Sequence, residues 1–142
     1  MKVHYTSTIT RYEGKYPSLS AFLMSPSPKE SDSENVLFHA DGVFKGDKSA
    51  FTLSYQEEDA TPSRLVFSGD TLVFVRGKTE ARFEKSKTTA FAYVSAIGAL
   101  AATAYTVRLD VLEMAGKLLL TVEYFMHISD MVQKNTMRWK LF

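Results

Sequence analysis

A chain of 142 residues with 45% apolar residues and no cysteine is long enough for one domain with its own core. It excludes a disulfide framework, a thiolate nucleophile and Cys-ligated zinc. Seventeen basic against sixteen acidic residues leave a net charge of +1, which removes the electrostatic case for a nucleic-acid partner. No basic-then-apolar leader opens Met1 to Ile9, so the expected location is cytoplasmic.

Val3, Tyr5, Ser7 and Ile9 alternate with His4, Thr6, Thr8 and Thr10, a period-two pattern that predicts a first strand ending at Tyr12-Glu13-Gly14. The apolar group from Leu19 to Met24 reads as a short strand or a packed loop. Ser25 to Glu34 holds two prolines and too little apolar surface to order itself, so a mobile polar loop is expected there. From Asn35 the strands come at short intervals. Val36, Phe38, Ala40 and Phe44 give one, interrupted by Asp41-Gly42 as a bulge or bend. Phe51, Leu53 and Tyr55 share a face on the next, which runs out at Glu57-Glu58-Asp59. Arg64 to Phe67, then Leu72, Phe74 and Arg76, then Ala81 and Phe83 follow, separated by turns at Ser68-Gly69-Asp70 and Gly77-Lys78.

Ala90 to Tyr105 is too short and too polar for a membrane span, which needs about 20 apolar residues. Alanine favours a helix there. The alternation of Phe91, Tyr93, Ser95 and Ile97, with Gly98 in the middle, favours two strands joined by a turn. The clearest pattern comes last. Leu118, Leu120, Val122, Tyr124, Met126 and Ile128 fall on one face of a strand from Lys117 to Ile128. Met137, Trp139 and Leu141 repeat the pattern within Asn135 to Phe142 after the connection at Ser129-Asp130. About nine or ten strands at roughly 8–12-residue spacing, with short connections, predict a single all-β domain over residues 1–142. An antiparallel up-and-down meander of that many strands closes most naturally into a β-barrel; a β-sandwich is the second reading.

The succession Leu53-Ser54-Tyr55-Gln56-Glu57-Glu58, then Val73-Phe74-Val75-Arg76-Gly77, then Tyr93, Gly98 and Thr106, resembles the YwiB-like family of small uncharacterised bacterial proteins. The closing hairpin is similar as well, through Gly116, Leu118, Leu120, Tyr124, Met126, Asn135 and Met137. The likeness covers roughly Asn35 to the C-terminus. It departs at Lys85-Ser86, where the family tends to have glycine, at Ala104, near which it tends to have threonine, and in the inserted Pro17 to Glu34. The resemblance implies a calycin-type, lipocalin-like closed barrel of about 8–10 strands and assigns the Ala-rich segment to strands. It implies no established activity.

No set of residues makes a credible catalytic constellation, so no enzyme is expected. Single glycines in turns cradle no phosphate, and Ser7, Ser54 and Ser95 lack a nucleophile-elbow setting. His4, His39 and His127 lie in three separate strands, and scattered histidines are favoured over a metal site. Glu57-Glu58-Asp59 reads as a solvated strand end. Arg76 stands out because its period-two companions Leu72 and Phe74 face the core, where a cation needs a carboxylate or a ligand anion. Arg76, with Tyr55, Tyr93 and Tyr124, is therefore expected to line the barrel mouth and orient the acidic head of an apolar ligand. The plainer reading has Gly77 turn Arg76 to solvent above a filled core. Leu119 and Phe125, on the wetter face of the closing hairpin, are the candidate interaction surface for a homodimer if the inserted segment leaves them bare. The expected function is a non-catalytic small-molecule-binding barrel for an apolar or weakly acidic ligand, with no cofactor. The alternative is a homodimerising module with a filled core.

Overall fold

The period-two runs become ten antiparallel strands in the computed structural model, which describes residues 1–142. In chain order the elements are β1 (Lys2–Tyr12), α1 (Leu19–Leu23), β2 (Glu30–Asp47), β3 (Ala50–Gln56), β4 (Pro62–Ser68) and β5 (Thr71–Arg76). They continue with β6 (Thr79–Glu84), β7 (Thr88–Ser95), β8 (Gly98–Met114), β9 (Lys117–Ile128) and β10 (Met131–Leu141). Sequential strands pair, and β1 joins β10, so the sheet runs β6-β5-β4-β3-β2-β1-β10-β9-β8-β7. This is an all-β, nearly closed up-and-down barrel. Its seam lies between β6 and β7, inside the chain rather than at its ends. Side chains bridge it: the Val94 amide donates to Thr79 Oγ1 at 2.9 Å, and Thr89 Oγ1 donates to the Arg82 carbonyl. No helix is long and apolar enough to cross a membrane.

The closing hairpin has a two-residue turn in which Ser129 and Asp130 both take positive φ, at 50° and 62°. That is the turn geometry whose twist suits two paired strands. It lets β10 start at Met131, ahead of the expected Asn135. The early residues were inconspicuous because Gln133 faces inward yet is polar. The Ala-rich segment forms β7 and β8, paired from Thr88 against Tyr105 to Ser95 against Gly98.

Two expectations fail in the inserted segment. Leu19 to Leu23 is neither strand nor loop but the short helix α1, with Ser18 Oγ accepting from the Ala21 amide at 3.1 Å as its N-cap. Leu19 and Phe22 pack on the outside of the barrel with Val132. Glu30 to Glu34 is not mobile loop but the start of β2, paired with Tyr12 back to Ile9 of β1. Backbone pairing orders this stretch although its side chains are wet, and Arg11 adds ion pairs to Asp32 and Glu34. Propensity alone could not anticipate a strand whose apolar partner surface is absent.

Asp41-Gly42 is the bend in β2. Up to Asp41 the strand pairs with β1, and from Gly42 it pairs with β3. A Cβ at Gly42 would lie 2.9 Å from both Leu53 Cδ1 and Val3 Cγ2, so only glycine lets the corner close on the core. One end of the barrel is packed solid around Trp139, Leu53, Leu65, Leu72, Leu120 and Leu141, all fully buried. The other end is open.

Candidate functional site at the barrel mouth

The same alternation that fills one end of the barrel leaves a cavity of about 890 Å³ at the other. Along β10 the inward positions Gln133, Asn135 and Met137 line it, and the next two, Trp139 and Leu141, belong to the packed end. Its wall is mixed. Phe74, Phe83, Phe91, Met126 and Met137 supply apolar surface, and a few polar side chains are set among them.

Arg76 is the last residue of β5 and lines this cavity. Leu72 and Phe74 precede it on the same face, and Gly77, at φ +58°, turns the chain immediately after it. Its Nε donates to Glu57 Oε2 at 2.6 Å. The Glu57 side chain is only 9% exposed and also accepts from Ser63 Oγ at 3.1 Å. Arg76 itself is 56% exposed, and its two terminal nitrogens meet no protein acceptor. Partial burial acts against the charge of Arg76, but the Glu57 hydrogen bond and carboxylate outweigh it and hold the guanidinium above its ordinary value. The site thus presents a cation that is half satisfied by protein.

Glu57 corrects the expectation of a solvated strand end. Glu58 and Asp59 are exposed, but Glu57 is drawn inward as the period-two continuation of Phe51, Leu53 and Tyr55. The loop after β3 fixes it: the Glu57 amide donates to the Thr61 carbonyl, and Asp59 Oδ1 accepts from the Thr61 amide at 3.0 Å. Extending the alternation of β3 by one more step would have found the carboxylate that Arg76 requires.

Of the three tyrosines expected at the mouth, two line the cavity. Tyr93 of β7 lines the cavity half-exposed. Tyr124 of β9 lines its inner wall, with its ring 4.5 Å from that of Phe83 and its hydroxyl accepting from Asn135 Nδ2 at 2.8 Å. Burial pushes the Tyr124 phenol up, against a smaller downward pull from the Asn135 hydrogen bond. Tyr55 is placed elsewhere. It sits in the packed core, where its hydroxyl accepts from Trp139 Nε1 at 2.9 Å, and burial raises its phenol as well. Tyr5, an ordinary first-strand residue by pattern, lines the cavity, with its phenol pushed up by burial. Gln133 and Asn135 were also missed, because a polar residue on an inward face has no signature distinct from one on a wet face.

The candidate interaction surface is changed by α1. Phe125 lies under Phe22, 5.5 Å between ring centroids, and beside Tyr12 at 6.4 Å. The inserted segment therefore covers it, while Leu119 stays half-buried. His127 Nε2 ties the same segment down, donating to the Tyr16 carbonyl at 2.6 Å. His4 and His39 stack across β1 and β2 with centroids 4.2 Å apart, and the protein gathers no three His, Asp or Glu side chains at metal-holding distance.

A search of curated proteins finds no match. Among solved structures, the chain is similar to the crystal structure of the ywiB protein from Bacillus subtilis, with a TM-score of 0.63 and 16% identity over 99% of this chain and 93% of that one. At that identity the likeness speaks for a common fold alone. Matched over residues 24–138, the chain belongs to the family described as a domain of unknown function, DUF1934.

Proposed function

We propose that this protein is a non-catalytic small-molecule-binding barrel that holds an apolar or weakly acidic ligand with its acid at Arg76. The observation that carries the reading is the half-satisfied guanidinium at the mouth of a cavity of about 890 Å³. That volume falls within the range of ordinary ligand sites, which are mostly apolar with a few placed polar groups. A carboxylate at the mouth would take the two free nitrogens of Arg76 in a charge-assisted pair. Its apolar body would lie along Phe74, Phe91 and Met126. Calycin-type barrels commonly hold such ligands, which agrees with the reading by analogy of fold only.

Catalysis is disfavoured by the state of the best-placed carboxylate. Glu57 Oε2 accepts from both Arg76 and Ser63, so this oxygen serves structure rather than proton transfer. The rival reading, a homodimerising module, loses its main support with Phe125 beneath α1.

Native mass spectrometry of the protein purified gently from cells tests the reading. The expected spectrum holds a monomer carrying one small-molecule adduct, released on unfolding. A bare monomer would count against a resident ligand, and a bare dimer would favour the module instead.

A further inference from the structure

The β7–β8 hairpin outruns the strand it rests on. β8 first meets β9 where Ala102 stands opposite Ile128, so Gly98 to Ala101 pair with β7 alone. From Ala92 to Ala101 the chain is a two-stranded ribbon at the open end of the barrel. Its hydrogen bonds reach the rest of the protein only at Val94. The Val94 amide donates to Thr79 Oγ1 at 2.9 Å, and its carbonyl accepts from the same hydroxyl at 3.4 Å. A two-stranded hairpin is marginally stable by itself, so a ribbon with one such tie moves far more easily than β9 or β10.

The inward face of this ribbon is left uncovered. Alternation puts Tyr93 on the same face as Phe91, and cross-strand pairing sets Leu100 beside Tyr93 as it sets Ala102 beside Phe91. Phe91 lines the cavity and Ala102 is buried, so this face points into the barrel. Two residues further along each strand, Tyr93 is 42% exposed and Leu100 43%. The apolar face therefore runs past the rim and stands bare over the mouth, and Leu100 is no part of the cavity wall. No charged residue falls between Lys87 and Arg108, so covering the ribbon would take no charge out of water.

Granted the ligand-binding reading above, we infer that this ribbon is a lid. When an apolar acid occupies the cavity, Ala92 to Ala101 folds over it and lays Tyr93 and Leu100 on the ligand near the mouth. An empty cavity offers that face only water. A filled one offers apolar surface, and burying the two together is the differential interaction that shifts the ribbon to its closed position.

Hydrogen exchange with and without decanoate, together with isothermal titration of the wild type and of Leu100→Ser, tests this. Saturating decanoate is expected to slow exchange of the backbone amides of residues 92–101 in the wild type. Leu100→Ser should bind decanoate about tenfold more weakly, the worth of the apolar surface that Leu100 buries on closure. A ribbon that never closes leaves Leu100 in water. Equal affinity of the two proteins would therefore overturn the inference and leave the ligand-binding reading standing. Exchange of residues 92–101 that decanoate does not slow would overturn it as well. That measurement does not depend on the variant folding, which a thermal melt checks. Ala81 is buried on the cavity wall, and an indole in its place takes up the ligand space. Slowed exchange that persists in Ala81→Trp would mean that the acid sits on the ribbon itself, and the lid would again be overturned. If decanoate does not bind the wild type, the ligand-binding reading falls and this inference with it.

Discussion

Trp139→Ala is expected to destabilise the barrel by about 3–5 kcal/mol, the range for emptying a large aromatic site in a core that cannot collapse around it. Trp139 has no exposed surface. Its ring lies edge-on to Phe74 with centroids 5.3 Å apart, and it sits 5.3 Å from Tyr5 on the neighbouring strand. β10 is hydrogen-bonded on both sides, to β1 and β9, so the backbone around the void is held in place. The substitution also removes the Trp139 Nε1 hydrogen bond to the buried Tyr55 hydroxyl. Against a typical domain stability of about 5–15 kcal/mol, such a loss is severe. Equilibrium denaturation in urea measures it. A loss below about 1 kcal/mol would mean that the packed end of the barrel is not built around this residue.

Arg76→Ala is the second large effect, and its asymmetry with Glu57→Gln is the informative part. Removing the guanidinium leaves the Glu57 carboxylate buried with one hydrogen bond, from Ser63. Breaking a fully buried pair costs about 3–5 kcal/mol, and since Arg76 is more than half exposed, solvent screening brings the expected loss to about 2 kcal/mol. Glu57→Gln should cost clearly less, because the freed guanidinium can turn to water. The double variant Arg76→Ala with Glu57→Gln should recover most of the loss. Equilibrium denaturation of the two single variants and the double variant checks this order. A loss in Glu57→Gln as large as that in Arg76→Ala would show that Glu57 does not depend on Arg76.

The barrel was legible because its evidence is local and repeated. β9 shows its dry face in six alternating apolar residues, and β3 and β5 do the same on a shorter scale. What the chain hid were features decided by contacts between distant segments. Glu30 to Glu34 is a strand because β1 offers it a backbone to pair with, and nothing in SPSPKESDSE announces that. α1 exists because Phe22 finds Tyr12, Tyr16 and Phe125 to cover. At the site, Arg76 could be singled out because a cation on an apolar face is anomalous. Glu57 is masked by the two solvated acids that follow it, although the alternation of β3 taken one step further reaches it. Tyr55 and Tyr124 look alike in sequence, yet one is held by Trp139 in the core and the other faces the cavity. Only the position of each strand end relative to the open end separates them.

The central claim is that the open end of the barrel is a single cavity that takes an amphipathic anion. Titration with anilinonaphthalene sulfonate, a fluorescent apolar anion, tests it on the wild type and on Ala81→Trp. Ala81 is buried on the cavity wall beside Phe74, so an indole there would occupy the ligand space without opening the packed end. Saturable binding at one site, lost in Ala81→Trp while the melting temperature is kept, is the predicted result. Binding that is undiminished by Ala81→Trp, or that never saturates, would contradict the claim.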